Sequence, residues 1–256
     1  MFFRKISKQL KDQDWTAIGI DFVIVVVGVY LGIQVDNWND ARADRDRARV
    51  FAERLQSDLQ TDIDRAGVRI AFNEDVLRYG RKALVWLETE PREGGEWSVL
   101  LALFQASQVA PYRQVNATFE EMRSAGELSL IRDPLLRGSL SEYYLVATGS
   151  QSDYILRLIP EYRQTIRSLV PSEITRHIWD ACHDEFNYDD QKLIECDAPV
   201  GEAEVQSVLS RIGTAPELLP QLRFWMSNLK TANEMLELNT AAAQGLIDQL
   251  EAKGPR

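Results

Sequence analysis

Asp21 is the residue of this chain whose chemical type fits its surroundings least. It is the single charged residue in an apolar stretch that runs from Trp15 to Val35. In helical conformation, at about 1.5 Å per residue, this stretch matches the roughly 30 Å hydrocarbon thickness of a bilayer. A carboxylate at the centre of a transmembrane helix costs roughly 2.5–3.5 kcal/mol, so its presence requires a functional or a positional reason.

Helical geometry places three small or branched residues on the same stripe as Asp21. At about 100° per residue, Val25, Gly28 and Gly32 project to the side of the helix that carries the acid. Gly28 and Gly32 have the spacing that lets two transmembrane helices approach closely. Three interpretations stay open: Asp21 reaches headgroup water near Trp15, it packs or hydrogen-bonds against another helix, or it handles protons or ions within an oligomer.

A second group of reactive side chains gathers both histidines and both cysteines of the chain: His177, Cys182, His183 and Cys196. Zinc sites with two cysteines and two histidines have paired Cys-x-x-Cys spacing, which is missing here. The acids that follow lack the glycine of an EF-hand loop. A disulfide, two free thiols and a metal site are the alternatives, and an even cysteine count in an oxidising compartment favours the disulfide. We predict no metal and no cofactor.

Residues 116–144 form a third segment, in which charged, aromatic and capping residues are concentrated. Asn116 is placed to cap a short helix that Gly126 ends, and Asp133 with Pro134 begins the next helix. The charged side chains of this segment are Glu120, Glu121, Arg123, Arg132 and Arg137. They either form ion pairs across the turn or remain solvated.

No catalytic motif accompanies these groups. The sequence has no phosphate-binding loop, nucleophile elbow, paired zinc ligands or dinucleotide fingerprint. Both histidines lie beside the cysteines, so acid–base catalysis has few candidates. We therefore predict that the protein is not an enzyme. A net charge of −10 also argues against nucleic acid as a partner.

Four segments follow from the distribution of charge, apolar residues and helix breakers. Residues 1–14 form a basic head and residues 15–35 a transmembrane helix, whose apolar core is too long for a cleavable signal. Residues 36–90 are predicted to form a long helix and a helical hairpin, with the first break at Gly67. Residues 91–256 are predicted to form an α-helical extramembrane domain.

Helical periodicity dominates the chain after the apolar stretch. Apolar residues of the long helix recur at steps of three and four, which is typical of one buried helical face. They are Phe51, Leu55, Leu59, Ile63, Ala66 and Ile70. The same spacing predicts helices over 152–169, kinked at Pro160, and over 218–250, whereas 182–201 is predicted to be an acidic loop. Because convincing strand patterns are absent, the predicted fold class is all-α, with a helical bundle after the long helix.

The charges that would orient the chain in a membrane are nearly balanced. Lysines and arginines flank both ends of the apolar stretch, so the positive-inside rule does not decide the orientation. The short head, the acids interleaved after residue 35 and the cysteine pair favour a cytoplasmic head, with the bulk of the chain outside the cytoplasm.

The sequence around the end of the apolar stretch resembles a known family. Residues 28–40, which end in Asp-Asn-Trp-Asn-Asp, are similar to the anchor and NNWNE signature of a domain-of-unknown-function family of bacterial single-span membrane proteins. Members also have a basic head, an acid at the position of Asp21, and an S-x-G-x-L-x-L-I segment followed by paired tyrosines. Residues 124–131 and the pair Tyr143-Tyr144 match those parts.

This resemblance covers roughly residues 1–60 and 116–144, and Asp40 stands where the family usually has Glu. It implies a single-span protein of the bacterial inner membrane and no activity, since the family has none assigned. Locally, residues 20–23 also resemble the proton-driven stator subunits, which place an Asp early in a lone span. The soluble domains of those subunits are mixed α/β, unlike the helical domain predicted here.

Three functions are therefore expected, in decreasing order. The first is a non-enzymatic, membrane-anchored helical protein that forms homo-oligomers through Gly28 and Gly32 in a structural or interaction role. The second is an ion- or proton-coupled assembly in which Asp21 titrates. The third is a ligand-sensing helical domain with a pocket lined by tryptophans. Those tryptophans are Trp97, Trp179 and Trp225.

Overall fold

A computed structural model of the chain describes residues 15–89, 96–147, 159–187 and 190–253. Within these ranges the fold is all-α, as predicted, with eight α-helices and one short hairpin of two strands. The helices are α1 (Trp15–Glu88), α2 (Trp97–Gln105), α3 (Ala117–Ala125), α4 (Pro134–Ser141), α5 (Glu161–Leu169), α6 (Ser172–Ala181), α7 (Glu202–Gly213) and α8 (Leu218–Lys253). The remaining elements are a 3-10 helix (Glu127–Leu130), a π-helix (Glu142–Ala147) and strands β1 (His183–Asn187) and β2 (Asp190–Leu193).

The chain divides into two compact units, residues 1–50 with 255–256, and residues 51–254. In the first unit, every described side chain from residue 22 to residue 40 is exposed. In the described part of the chain, α1 is the one helix long and apolar enough to cross a bilayer, and its apolar window contains no buried residue.

The helical hairpin predicted within residues 36–90 does not form, because α1 continues without a break to Glu88. Gly67 keeps a negative φ, and a glycine inside a helix costs only about 1 kcal/mol relative to alanine. Asn73, where a second helix was predicted to begin, is buried and donates to Asn233 Oδ1 on α8 at 2.8 Å. Tertiary packing along this helix therefore outweighs the local helix-breaking signals.

In the second unit, α1 and α8 pack against each other through a regular series of buried positions. On α1 these are Leu55, Leu59, Asp62, Ala66, Arg69, Asn73, Val76, Gly80, Ala83 and Leu87. On α8 they are Leu218, Leu222, Trp225, Leu229, Ala232, Leu236, Asn239, Ala243, Leu246 and Leu250. Alternating steps of four and three average about 3.5 residues, the repeat that keeps one seam of a helix facing its partner in a coiled coil.

The two helices run antiparallel. At one end Arg223 donates to Glu88 at 2.8 Å, and at the other Leu55 and Leu250 share a cluster. Around residues 72–87 of α1, helices α2, α5, α6 and α7 complete one apolar core. Around residues 51–63, helices α3 and α4 and the π-helix complete a second core, so one helix pair supports both.

Two further predictions need correction. The region 182–201, predicted to be a loop, contains the antiparallel β1–β2 hairpin, which pairs His183 with Leu193 beside the cysteines. The helix predicted from residue 152 begins at Glu161, because Pro160 takes the N-cap position instead of kinking a longer helix. Residues 152–158 of that prediction lie outside the described ranges.

Candidate functional site

The stripe predicted to contact another helix is exposed in the structure. Val25 is 62% exposed, and a Cβ added at Gly28 or Gly32 would meet no atom within 4 Å. The side chain of Asp21 lies outside the part of the chain that the structure describes. Tyr30, on the far side of the helix, is 61% exposed, so both sides of this segment offer apolar surface.

The cysteine pair is bonded in the structure. Cys182 and Cys196 form a disulfide with Cα atoms 5.2 Å apart, which ties the end of α6 to the segment after β2. His177 brings a ring nitrogen within 4.8 Å of both sulfurs, but its Nε2 lies 2.8 Å from the carbonyl oxygen of Asp197. Because a thiolate is the form of cysteine that binds metal, bonded sulfurs do not supply ligands here.

A chain of hydrogen bonds leads from the disulfide to two arginines. Gln105 Nε2 donates to the Cys182 carbonyl at 3.0 Å, and Gln108 Nε2 donates to Gln105 Oε1 at 3.0 Å. Arg163 Nη1 and Arg167 Nη2 donate to Gln108 Oε1 at 3.4 and 2.7 Å. Since a carbonyl only accepts and a guanidinium only donates, this chain fixes the orientation of both amides.

The two arginines sit on successive turns of α5 at the end of α2. Arg163 Nη1 donates to the Ser107 carbonyl at 2.8 Å, and Arg167 Nε donates to Ser107 Oγ at 3.1 Å. The Arg167 guanidinium lies 4.7 Å from the ring centroid of Phe104 and 5.4 Å from that of Trp179. Burial lowers the pKa of both arginines. For Arg167, burial and, to a smaller extent, repulsion by the Arg163 charge lower the pKa to about 9.

A buried carboxylate forms the centre of a second polar network, between the two helices of the long pair. Asp62 is 1% exposed and accepts from the Val115 backbone N–H at 2.6 Å and from the Tyr143 hydroxyl at 3.0 Å. Asn239 Nδ2 donates to the hydroxyls of Tyr143 and Tyr112 at 3.3 and 3.4 Å. Burial raises the pKa of Asp62 to about 6, although both hydrogen bonds oppose that rise.

The paired tyrosines of the resemblance therefore lie in a core. Tyr143 belongs to the π-helix and reaches Asp62, while the Tyr144 ring stacks on Phe119 with centroids 4.7 Å apart. A π-helix inserts an extra residue in a turn, a distortion found often where side chains need special placement. The sequence analysis did not identify Asp62. The available signal was its spacing: Asp62 lies three residues after Leu59 and four before Ala66, so it occupies a position of the buried helical face.

Capping in residues 116–144 is partly as predicted. Gly126 ends α3 with a left-handed φ of 73°, and Asp133 Oδ1 accepts from Leu135 N at 2.8 Å at the start of α4. Asn116 occupies the N-cap of α3 but its side chain makes no capping hydrogen bond. Asp58 of α1 replaces it, because its Oδ2 accepts from Thr118 N at 3.1 Å.

Charges of the same segment form both local and long-range contacts. Glu120 pairs with Arg123 one turn away, at 2.6 Å. Glu121 instead pairs with Arg54 on α1, where the guanidinium spans both carboxylate oxygens. Arg137 donates to the Ile131 carbonyl at 2.6 Å and so closes the turn before α4.

A cavity of about 560 Å³ lies between the start of α5 and the first turns of α8. It is lined by Ile159, Pro160, Glu161, Glu217, Pro220, Gln221, Phe224, Trp225 and Asn228. Of the three tryptophans predicted to line a pocket, Trp225 lines this cavity, and Trp97 and Trp179 do not. Trp97 donates to the Cys196 carbonyl at 2.7 Å, and Trp179 stacks on His183 with ring centroids 4.4 Å apart.

Comparison with known proteins gives no further assignment: no family model, no curated protein and no solved structure matches this chain.

Proposed function

We propose that this chain is a non-enzymatic, membrane-anchored helical protein that self-associates through its apolar amino-terminal helix. The observation that carries the proposal is the exposure of residues 22–35, an apolar surface with no partner among the described residues. Exposed apolar patches of this size on a soluble surface are rare, whereas a bilayer covers them without cost.

Self-association follows from the composition of the exposed stripe. Between transmembrane helices the hydrophobic effect contributes little, because lipid tails are as apolar as leucine, so close packing through small residues drives contact. Gly28 and Gly32 leave open space beside the backbone that a second helix can enter, and Val25 extends the same stripe. A homo-oligomer would place this stripe at its seam.

The proposed location is the bacterial inner membrane with the helical domain outside the cytoplasm. The disulfide between Cys182 and Cys196 supports this orientation, because disulfides persist in oxidising compartments and are rare in the cytosol. The basic head would then remain on the cytoplasmic side.

Disulfide crosslinking of single-cysteine probes in native membranes tests the proposal. The variant Gly28→Ile with Gly32→Ile is expected to lose crosslinked dimers and higher species, because bulk on the stripe separates the helices. Val27→Ile introduces the same side chain on another side of the helix and is the matched control. Equal crosslinking in wild type, control and double variant would show that the helices do not contact each other through Gly28 and Gly32.

A second candidate function, ligand sensing by the helical domain, is favoured by the cavity beside Trp225. Its volume of about 560 Å³ lies in the range of small-molecule sites. Crystals soaked in 4-bromophenol are expected to show an anomalous bromine signal there. Phe224→Glu places a charge on the exposed wall and should abolish the signal, whereas Leu238→Glu, equally exposed on α8, should keep it. The absence of a bromine signal from the wild-type cavity would contradict ligand binding there, and a signal unchanged by Phe224→Glu would show that Phe224 is no part of the binding wall.

Proton or ion coupling through Asp21 stays a prediction from the sequence. It requires that Asp21→Asn abolish function while crosslinking at the seam persists. Unchanged function in that variant would exclude the coupling.

A further inference from the structure

The two arginines at the end of α2 carry positive charge that the described part of the chain leaves uncompensated. Arg163 and Arg167 are both half-buried, and neither forms an ion pair with a described carboxylate. Arg163 and Arg167 share one acceptor, Gln108 Oε1, so their guanidiniums lie side by side. Like charges this close repel each other, and partial burial strengthens that repulsion.

Among the described residues, the groups that accept hydrogen bonds from these guanidiniums are neutral. They are the carbonyl and hydroxyl oxygens of Ser107 and the amide oxygen of Gln108. The carboxyl end of a helix such as α2 contributes about half a negative charge. The two guanidinium charges therefore exceed the partial negative charge of the helix end, and a net positive charge of about one and a half elementary charges remains.

Packing holds the pair in place in spite of the repulsion. Arg167 lies over the rings of Phe104 and Trp179, a cation–π arrangement that fixes its plane. Arg163 is held by two hydrogen bonds from a single nitrogen, Nη1. The pair is therefore preorganised, which lowers the entropic cost of binding a ligand.

Several donors of the pair remain available. Nε and Nη2 of Arg163 and Nη1 of Arg167 donate to no acceptor among the described residues. Trp179, which borders Arg167, is 38% exposed, so this edge of the pair reaches solvent. Guanidinium forks with free N–H groups match the oxygen spacing of carboxylates and phosphates.

We propose that Arg163 and Arg167 together bind an oxyanion, a carboxylate or phosphate group of a small ligand, through their outward N–H groups. Neither arginine lines the cavity beside Trp225, so this site is distinct from it. The proposal is independent of self-association, because the site lies on α5 and the seam on residues 25–32 of α1.

Thermal unfolding of the full chain in neutral detergent tests the proposal. Sodium phosphate and sodium acetate are compared with sodium chloride at equal ionic strength. A ligand that binds the folded state raises the unfolding midpoint, here by about 5–10 °C at roughly 100-fold above its dissociation constant. Because phosphate also stabilises folded proteins without binding a site, only the part of the rise that Arg163→Gln removes counts. Such a rise with phosphate alone assigns a phosphate-type ligand, and with acetate alone a carboxylate.

Variants connect the effect to the two arginines. Arg163→Gln removes one charge without touching an aromatic ring and is expected to abolish most of the rise; Arg167→Gln should do the same. Arg78→Gln is the matched control, because Arg78 also lies over a ring, that of Tyr79 at 4.5 Å, but pairs with Asp75.

Two results would overturn the site. One is a wild-type midpoint that neither phosphate nor acetate raises above the chloride value. The other is a rise that persists undiminished in Arg163→Gln, a variant whose small contact loss keeps it suitable for measurement even if Arg167→Gln fails to fold.

Discussion

Helix α1 contains two regions with the same backbone conformation and opposite surroundings. Residues 22–40 are exposed on every face, although most of them up to residue 35 are apolar. Residues 55–87 bury a regular series of positions that includes Asp62, Arg69 and Asn73, and also Phe72, Leu77 and Tyr79, while other positions such as Asp64 and Val85 stay exposed. The more apolar region is thus the exposed one, and the more polar region is the buried one.

This contrast shows that burial depends on what a helix face meets and not on the helix itself. In the second region, the buried positions belong to cores that α8 and the shorter helices complete, and Asn73 and Asp62 have hydrogen-bond partners in Asn233 and Tyr143. Polar residues in such a seam fix its register at some cost in stability. In the first region no partner exists in the described chain, and a bilayer or a second helix would have to supply one.

The largest test of this contrast is truncation of matched apolar residues in the two regions. Leu59 is fully buried, so Leu59→Ala should lower the free energy of unfolding by about 2–5 kcal/mol through lost contacts and a cavity. Val25→Ala, at a position that is 62% exposed, should leave the unfolding of residues 51–254 unchanged. Urea unfolding of the full chain in detergent, followed by tryptophan fluorescence, measures both. Equal effects would refute the contrast.

A second effect, within the range of the first, is expected from the buried acid Asp62 when pH is varied. Because the folded-state pKa of Asp62 is raised to about 6, folding favours its protonated form. The free energy of unfolding should therefore fall as pH rises between about 4 and 6, by about 3 kcal/mol in all. The charge of Arg65 lowers this pKa and that of Asp58 raises it, and both act more weakly than burial does.

Asp62→Asn should flatten this pH dependence, because an amide does not titrate. Asp64→Asn, two residues further along α1 and exposed, is the control and should retain the wild-type slope. Urea midpoints measured from pH 4 to pH 7.5 decide the matter. A wild-type slope in Asp62→Asn would assign the dependence to another group.

Glycines of α1 give a third and smaller comparison. A Cβ at Gly67 meets no atom within 4 Å, so Gly67→Ala should raise the free energy of unfolding by about 0.5–1 kcal/mol. A Cβ at Gly80 comes 2.9 Å from Met226 Sδ, so Gly80→Ala should gain less or lose stability. Thermal midpoints of the two variants measure the difference, and a larger gain at Gly80 would contradict the packing of α1 on α8.

The smallest effect is expected from the ion pair between Arg54 and Glu121. Their side chains are 43% and 50% exposed, and solvent screens pairs of this kind. Arg54→Gln should not shift the urea midpoint beyond the measurement error, at low or at high salt. A salt-sensitive loss would show that this contact stabilises the packing of α3 on α1.

Local signals in the sequence identified several elements correctly. The helical class, the cap at Asp133 and the left-handed stop at Gly126 all depend on residues within one turn of each other, and the structure has them. The break at Gly67 was wrong, because a local penalty of about 1 kcal/mol is small beside the burial of a whole helix face. Asp58 replaced Asn116 as the cap of α3 for a similar reason, since it comes from a distant turn of α1.

The candidate sites depended even more on distant residues. The pairing of Asp62 with Tyr143 spans 81 positions, and that of Arg167 with Gln108 spans 59. No period or short motif connects residues so far apart, so neither network was predicted. The cysteine pair was within reach of sequence reasoning because its separation is only 14 positions.

The sequence by itself determined the helical fold class and the apolar character of residues 15–35, because both arise from residue types and short-range spacing. It also determined that Asp21 shares a stripe with Gly28 and Gly32, which follows from the helical repeat alone. Only the tertiary structure decided which polar residues are buried, because Asp62 is desolvated only when distant parts of the chain pack against α1. The meeting of α5 with α2 likewise created the arginine pair, because desolvation and charge repulsion act only between groups that folding has brought together.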